Sequence, residues 1–265
     1  MTPYKVEAAA AALFEADRSG TQIGLLSRAH PDMTMDDAYA IQDALIERKL
    51  ASGRERIGWK IGLTSRAMQA ALSIDVPDSG VLLDDMAFAN GATIPAGRFI
   101  QPRIEAEIAF IMGDGLSGEA SREAVLDATQ AVAPAIEILD TRIVRADPET
   151  GAVRKVFDTI ADNAANAGIV LGEERHAPDA FDLRWVGAIV SADGTVEETG
   201  LGAGVLDDPV EGVVWLVRRL AQYGRGLKAG EIVLSGSFIR PIECPSGTAI
   251  AADYGAFGRV ELAFA

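Results

Sequence analysis

Helical patterns occupy the first part of the chain. Residues 5–17 are rich in alanine, and Gly20 follows them as a helix stop. A second helix is predicted to begin after Thr34, which precedes Asp37 by three residues in the manner of a capping box. The pattern changes beyond these helices, so we predict a helical N-terminal segment over residues 1–56 that packs on a separate core.

Short apolar or alternating runs, separated by Gly, Pro, Asp and Asn, dominate the later part of the chain. Such runs are typical of strands, which we predict at 57–61, 103–112, 135–139, 184–191, 231–234 and 258–264. Helices are predicted at 121–132 and 209–222. Because strands outnumber helices and do not alternate regularly with them, the pattern favours an α+β or mostly β core over residues 57–265, and not a doubly wound parallel sheet.

The composition narrows the class of partner. The 265 residues include 24 Lys and Arg against 39 Asp and Glu, a net charge of −15 at pH 7. Phosphate binding depends on Lys and Arg, so we expect neither nucleic acid nor an anionic membrane as a partner. The single cysteine, Cys244, excludes an internal disulfide and a cysteine-based zinc cluster. The chain lacks an apolar run as long as a membrane span and a signal pattern at its start, so we expect a cytoplasmic protein.

Several catalytic classes lack their motifs. The sequence contains neither of the glycine-rich nucleotide-binding patterns, nor the G-x-S-x-G turn that carries a nucleophilic serine. The two histidines, His30 and His176, fall in predicted surface loops. This placement disfavours catalysis by Ser-His-Asp or Cys-His groups.

Two glutamates stand out in the predicted strand 103–112. Glu105 and Glu107 lie on one face of this strand, roughly 7 Å apart at about 3.3 Å per residue. The next residues on that face, Ala109 and Ile111, indicate that it becomes buried. Burial of two adjacent carboxylates raises their pKa values or destabilises the fold unless a cation neutralises them. A divalent ion would do so; a solvated strand face with ordinary surface glutamates explains this segment equally well.

A third glutamate favours the metal hypothesis. Glu137 lies inside an apolar strand pattern, where a lone carboxylate is seldom left unpaired. Three carboxylates without histidine or thiolate form an oxygen site of the kind that suits Mg²⁺ or Mn²⁺. The alternative is that Glu137 pairs with a nearby arginine, such as Arg103 or Arg142.

Other polar residues occupy unusual positions, each with an ordinary structural explanation. Lys60 lies between apolar neighbours, either at a strand end or facing an acidic site. Residues 77–80, Pro-Asp-Ser-Gly, are typical of a turn. Asp162 belongs to a polar run that helix capping would explain. The Ser-Gly-Ser run at 235–237 is either a tight turn or a place where backbone approaches a ligand.

Taken in order, these segments match a known family. From about residue 34 onward the sequence resembles the metal-dependent 2-hydroxydienoate hydratases and 4-oxalocrotonate decarboxylases of the fumarylacetoacetate-hydrolase-like superfamily. The motifs that carry the resemblance are 60–65 (Lys-Ile-Gly-Leu-Thr-Ser), 77–80 (Pro-Asp-Ser-Gly), 105–107 (Glu-Ala-Glu), 137–140 (Glu-Ile-Leu-Asp), 162–164 (Asp-Asn-Ala) and 236–238 (Gly-Ser-Phe). The resemblance implies a mixed β-roll with flanking helices and assembly into homo-oligomers.

The resemblance also implies an active site. Mg²⁺, with Mn²⁺ as an alternative, is expected on Glu105, Glu107 and Glu137, and the substrate is a small 2-oxo acid that chelates it. Within this scheme we assign electrostatic stabilisation to Lys60 and proton transfer to Asp78, with Asp162 as a second candidate. Ser79 and Ser237 are the expected substrate-binding hydroxyls. Superfamily members that hydrolyse carbon–carbon bonds use a His–Glu pair, and neither histidine of this chain lies near the motifs.

The segment 147–160 is most similar to family members that act on a seven-carbon diacid. The expected reaction is hydration of 2-oxohept-4-ene-1,7-dioate to 4-hydroxy-2-oxoheptanedioate in aromatic catabolism. The alternatives are hydration of 2-hydroxypenta-2,4-dienoate and decarboxylation of 4-oxalocrotonate. A non-catalytic role as structural partner in a hydratase–decarboxylase complex is a further alternative. The candidate cations for a distal carboxylate are Arg66, Arg142 and Lys155.

Overall fold

The described part of the chain folds into two mixed β-sheets with flanking helices, as the fold prediction stated. The computed structural model describes residues 1–66, 69 and 76–265. The helices are α1 (Pro3–Ser19), α2 (Leu26–Ala29), α3 (Met35–Ala51), α4 (Arg122–Ala128), α5 (Val156–Ala161) and α6 (Pro209–Ala221). No helix within these ranges combines the length and the apolar character that crossing a membrane requires.

Thirteen strands form the two sheets in this part of the chain. They are β1 (Arg56–Gly62), β2 (Asp78–Leu83), β3 (Ala87–Phe88), β4 (Ala92–Ile94), β5 (Arg103–Met112), β6 (Thr129–Leu139), β7 (Asn166–Leu171), β8 (Gly187–Ala192), β9 (Thr195–Leu201), β10 (Ile232–Leu234), β11 (Ile242–Glu243), β12 (Ala249–Asp253) and β13 (Arg259–Phe264). The larger sheet has the order β2-β1-β10-β5-β6-β7-β3, with β11 also on β5, and the smaller has the order β4-β13-β12-β8-β9. Parallel pairs join β1 to β10, β13 to β4 and β3 to β7, so both sheets are mixed.

The alternation along β5 determines which side chains enter the core. Ile104, Ala106, Ile108 and Phe110 are fully buried in the main apolar cluster, together with residues of the smaller sheet and of α6. The other face of β5 begins with Arg103, carries the two glutamates and continues with Ala109, which packs in a separate small cluster. A period of two therefore buries one face as hydrocarbon and presents carboxylates on the other.

The N-terminal helices have an apolar cluster of their own. Its members in α1 and α3 include Leu13, Ile41 and Leu45, and it extends to Ile143 and Ile160 of the later chain. The capping box at the start of α3 is present as predicted, because Thr34 and Asp37 each bond the other's backbone. The helical character of this segment is confirmed, and the domain boundary between residues 56 and 57 stays a prediction.

Two local predictions were wrong. The helix predicted over 121–132 ends at Ala128, and the chain continues directly into β6, with Pro134 inside the strand. Proline is tolerated there because β7 ends at Leu171, and the Pro134 carbonyl accepts a bond from the backbone of Gly172. The turn predicted at 77–80 is instead the start of β2, whose first residues pair with the end of β1.

Candidate active site

Three glutamate side chains converge at the centre of the larger sheet. Glu105 lies directly opposite Glu137 in the antiparallel pairing of β5 with β6, and Glu107 lies opposite Ala135. One carboxylate oxygen from each glutamate lies within 4.8 Å of the others, and both Glu107 and Glu137 are fully buried. The register of two neighbouring strands therefore builds the cluster that the sequence predicted.

These carboxylates lack sufficient partners among the described residues. Glu107 Oε2 accepts a 2.7 Å hydrogen bond from the backbone of Gly236, but Glu107 Oε1 and both Glu137 oxygens accept none. Burial, and then the charge of Glu137, raises the pKa of Glu105 to about 8, and the pKa of Glu107 rises for the same reasons. Unpartnered buried oxygens of this kind fit a divalent cation, which prefers carboxylate ligands.

Lys60 is the cation next to this cluster. Its Nζ lies 3.4 Å from Glu137 Oε1, and its side chain is 4% exposed. Burial alone would lower the pKa of Lys60, but the charges of Glu137 and Asp78 together raise it above its ordinary value. Lys60 is therefore a fixed positive charge. One ammonium group cannot neutralise three carboxylates, so the cluster keeps negative charge that a further cation could neutralise.

Asp78 faces Lys60 across the pairing of β1 with β2. Gly62 pairs with Asp78 in this register, and a Cβ at Gly62 would overlap Asp78 Oδ1 and lie 2.9 Å from Lys60 Nζ. Glycine at this position therefore allows the two charged groups to approach. Burial raises the pKa of Asp78, which Lys60 and a backbone hydrogen bond from Gly62 offset in part. Asp78 Oδ1 has no hydrogen-bond partner in the described ranges.

Tyr254 fastens the two strands that carry the glutamates. Its hydroxyl accepts a 3.1 Å hydrogen bond from the backbone N–H of Glu107 and donates a 2.5 Å bond to the carbonyl of Ala135. These two residues are opposite each other in the β5–β6 register. The phenol thus bridges the strands at the level of the carboxylate cluster.

A cavity of about 460 Å³ opens beside the cluster. Lys60, Asp78 and Glu105 line it, so these three charged groups face the space where a ligand could bind. Part of its wall is apolar: Leu63, Leu139, Val156, Phe238, Ile239 and Pro241. A polar end joined to an apolar wall is typical of sites for small organic molecules.

The cavity lining also includes three arginines that the sequence analysis did not assign to it, beside the expected Lys155. Arg103 and Arg154 line it together with Lys155 and Arg240. Arg240 is neutralised by Glu198, whose Oε1 accepts a 2.8 Å bond from Arg240 Nε. Arg103 could have been found in the sequence, because it precedes Glu105 by two residues and so shares its face of β5. The sequence offers no comparable signal for Arg154.

The structure places the other predicted residues less centrally. Ser237 lines the cavity, but its hydroxyl donates to the Ile239 carbonyl at 2.9 Å and accepts from the Ile239 backbone at 3.2 Å. Ser79 is buried outside the lining, and its backbone bonds Tyr39 and Gln42. The Ser237 hydroxyl is therefore engaged within its own turn, and Ser79 does not line the cavity.

Asp162 lies in a buried ion pair outside the cavity. Its Oδ1 accepts a 2.6 Å bond from Arg142 Nε, and its Oδ2 accepts a 2.7 Å bond from the Arg142 backbone. Neither residue lines the cavity. Arg66 is exposed and pairs with Asp207. Of the three cations predicted for a distal carboxylate, the structure therefore brings only Lys155 to the cavity.

The two histidines lie elsewhere in the described part of the chain. His176 bonds the Phe257 carbonyl at 2.9 Å and stacks on the Phe257 ring, in an aromatic cluster and not in a surface loop as predicted. Neither His176 nor His30 lines the cavity. The site therefore offers carboxylates, an ammonium group and guanidinium groups for chemistry.

Comparison with known proteins places this site in a family. No family model matches the chain. The chain is 48% identical to 2-oxo-hept-4-ene-1,7-dioate hydratase of Escherichia coli over 253 residues, and this alignment covers 95% of each protein. It is 44% identical over 238 residues to 2-keto-4-pentenoate hydratase of Paraburkholderia xenovorans, which covers 89% of this chain and 86% of that protein. The chain belongs to the 2-hydroxydienoate hydratase family.

Solved structures extend the hydratase comparison to the fold. A 4-oxalocrotonate decarboxylase from Pseudomonas putida G7, complexed with magnesium and adipate, superposes with a TM-score of 0.94 at 30% identity, covering 100% of this chain and 99% of that one. A fumarylpyruvate hydrolase from Pseudomonas aeruginosa, in complex with Mn²⁺ and pyruvate, reaches a TM-score of 0.59 at 14% identity over 79% of this chain and 89% of that one, and shares the fold. The hydratase fold is therefore that of the fumarylacetoacetate-hydrolase-like superfamily, as predicted.

Proposed function

We propose that this hydratase adds water to 2-oxohept-4-ene-1,7-dioate, giving 4-hydroxy-2-oxoheptanedioate in aromatic catabolism, with Mg²⁺ or Mn²⁺ held by Glu105, Glu107 and Glu137. The observation that carries the proposal is the set of buried, unpartnered carboxylate oxygens beside a cavity lined by Lys60 and Asp78. The relative from Escherichia coli is named for this substrate, and the decarboxylase neighbour binds magnesium together with a dicarboxylate, adipate.

The proposed metal fits the donor set of this chain. Three carboxylates provide hard oxygen ligands, and burial together with their mutual repulsion raises the pKa values of Glu105 and Glu107, as expected of carboxylates that a cation would neutralise. When bound, the ion would supply a positive charge that orients a 2-oxo acid and polarises its 2-oxo group. The proposed ligands on β5 and β6 are rigidly spaced by the strand register, so they would hold the ion in one position.

Lys60 and Asp78 are the proposed catalytic residues. Hydration requires loss of a proton from C3, protonation at C5, addition of water at C4 and return of a proton to C3. Asp78 lines the cavity with one oxygen unpartnered, and burial raises its pKa, so it is suited to accept and return a proton. Lys60 keeps its charge and suits stabilisation of the negative charge that develops on the substrate oxygen. The buried pairing of Asp162 with Arg142 leaves that aspartate a structural role in this scheme.

The runner-up reaction is decarboxylation of 4-oxalocrotonate. The observation in its favour is the close superposition with a decarboxylase. Hydration is preferred because the chain is more similar in sequence to the hydratases, at 48% and 44% identity, than to that decarboxylase, at 30%.

We also propose that the hydratase assembles as a homo-oligomer. The support is a group of large apolar side chains exposed on and near the β8–β9 hairpin, namely Trp185, Ile189, Val196 and Leu201. A related decarboxylase is a second candidate partner for this surface. Apolar area of this kind on a protein with net charge −15 is better covered by another chain than left in water.

The proposed function is tested by metal removal and product analysis. Chelation should abolish most hydration of 2-oxohept-4-ene-1,7-dioate, and added Mg²⁺ or Mn²⁺ should restore it. Loss of the dienol absorbance measures the rate, and mass spectrometry of the product should show the gain of one water. Full turnover by metal-free protein would refute the metal assignment, and release of CO₂ from 4-oxalocrotonate without hydration would favour the runner-up.

A further inference from the structure

Two arginines of the cavity lining lack an anionic partner among the described residues. Arg103 and Arg154 form no ion pair in these ranges, and the buried atoms Arg103 Nε and Arg154 Nη1 have no hydrogen-bond partner. Buried donors of this kind are costly unless a ligand or water satisfies them. Other arginines nearby are paired, for example Arg145 with Glu243 and Arg240 with Glu198.

The position of Arg103 relates this pair to the carboxylate cluster. Arg103 and Glu105 are two residues apart on β5, so their side chains leave the same face of the strand about 7 Å apart. Both side chains line the same cavity, and Arg154 lines it as well. The cavity therefore holds two guanidinium groups in addition to the acidic groups that face the proposed metal site.

We propose that Arg103 and Arg154 form the subsite for the second carboxylate of the substrate, and so determine preference for a dicarboxylate over a monocarboxylate. The inference rests on the proposed function. A guanidinium group presents two parallel N–H donors to a carboxylate, which suits recognition of a terminal acid. Lys155 lines the same cavity but is exposed, whereas Arg103 and Arg154 are partly buried. An ion pair with a carboxylate is weaker when water surrounds the cation, so we assign specificity to the arginines and not to Lys155.

The test compares two substrates in matched variants. The specificity ratio is kcat/KM for 2-oxohept-4-ene-1,7-dioate divided by kcat/KM for 2-hydroxypenta-2,4-dienoate, measured with Mg²⁺ present. In Arg154→Met and in Arg103→Met the ratio should fall by about 10–100-fold, the loss expected for a hydrogen bond to a charged group. In Arg154→Lys, which keeps the charge but not the paired donors, it should fall by less. The control Arg184→Met removes an exposed arginine that pairs with Asp182 outside the cavity lining, so the ratio should stay within about threefold.

A binding measurement makes the test independent of catalysis. The saturated diacid 2-oxoheptanedioate and the monoacid 2-oxopentanoate cannot be hydrated, so calorimetry with Mg²⁺-loaded protein reports recognition alone. Arg154→Met and Arg154→Lys should both lose affinity for the diacid relative to the monoacid. Should Arg154→Met fail to fold, the lysine variant and Arg103→Met still decide the question.

The outcomes separate the subsite from the function. If the unaltered protein hydrates neither substrate, the proposed function fails. If it hydrates them and the ratio is unchanged in the Arg103 and Arg154 variants, the subsite is refuted while the function stands. An equal fall in Arg184→Met, or a fall in Lys155→Met without one in the Arg103 and Arg154 variants, also refutes the assignment to this pair.

Discussion

At the scale of single residues, the site depends on charged groups that are buried away from the water that would otherwise solvate them. Lys60 is the clearest case, because burial works against its charge and the neighbouring carboxylates more than compensate. Asp78 is the converse case, because burial outweighs the help of Lys60 and raises its pKa. The two neighbouring groups therefore differ: the surroundings favour the charged form of Lys60 and disfavour the charged form of Asp78.

Replacement of either group should impair turnover more than folding. In Asp78→Asn and in Lys60→Ala we expect kcat to fall by about 10²–10⁴-fold, the usual range for loss of proton transfer or charge stabilisation. Asp78→Asn removes a buried charge of raised pKa, so its thermal midpoint should not decrease. Stopped-flow kinetics and thermal melts measure both effects. Asp207→Asn, at an exposed pair with Arg66, is the matched control. Near-normal kcat in either variant would remove that residue from the mechanism.

At the scale of secondary-structure elements, the antiparallel pair β5–β6 does most of the positioning. Its register brings Glu105 opposite Glu137, and Tyr254 ties Glu107 to Ala135 from the loop that follows β12. The glutamates are therefore oriented by a backbone that is held by the β5–β6 pairing and by the hydrogen bonds of Tyr254. The Tyr254 hydroxyl, from the loop after a strand of the smaller sheet, thus helps to position the site in the larger sheet.

Loss of this phenol should weaken both the fold and the site. In Tyr254→Phe the N–H of Glu107 and the carbonyl of Ala135 lose their partner in the interior, which should lower the free energy of unfolding by about 1–3 kcal/mol. Mg²⁺ affinity should fall several-fold, because the backbone of Glu107 is then less firmly held. Urea titration and calorimetry with Mg²⁺ measure the two effects. Tyr223→Phe, at an exposed phenol, should change neither; unchanged Mg²⁺ affinity in Tyr254→Phe would refute the supporting role.

The sequence predicted those elements whose pattern is local. The alternation of β5 gave both its bounds and the shared face of the glutamates, and the capping box gave the start of α3. The pattern failed where pairing with distant chain overrides local preference. Residues 78–80 resemble a turn but form a strand because β1 supplies hydrogen bonds along their length. Likewise, a helical pattern before Pro134 yields to pairing with β5.

The candidate site divides in the same way. Glu137 was recognisable because a carboxylate in an apolar strand has few explanations, and Glu105 and Glu107 because of their spacing. The buried pairing of Asp162 was not visible in the sequence, because its partner, Arg142, lies twenty residues earlier. Arg154 was missed, because only the tertiary fold brings it to the cavity.

At the scale of the whole molecule, the uncompensated acidic cluster links stability to pH. The folded-state pKa of Glu105, about 8, is well above the ordinary value of 4.5, and those of Glu107 and Glu137 are also raised, mainly by burial. The folded protein therefore holds more protons than the unfolded chain between these values. The stabilising contribution of the protonated groups is complete below about pH 4.5 and is lost as the pH rises towards 8.

We accordingly expect metal-free protein to become less stable between pH 5 and pH 8. Excess Mg²⁺ should reverse this trend, because it binds the deprotonated carboxylates and neutralises their repulsion. Urea unfolding at several pH values, with chelator or with Mg²⁺, measures the slope in each condition. Calorimetry in buffers of different ionisation enthalpy should also show protons released when Mg²⁺ binds at pH 7. Equal slopes with and without Mg²⁺ would contradict this coupling.

The β5–β6 pairing determines what a shift in strand register would change. If β6 slid along β5 by two positions, Ile104, Ile108 and Phe110 would still point into hydrocarbon, since a shift of two preserves the faces of a strand. Glu105 and Glu137 would nevertheless be displaced by about 7 Å. Such a copy would keep the faces of both strands but separate the carboxylates, so the ability to bind a cation depends on this one register.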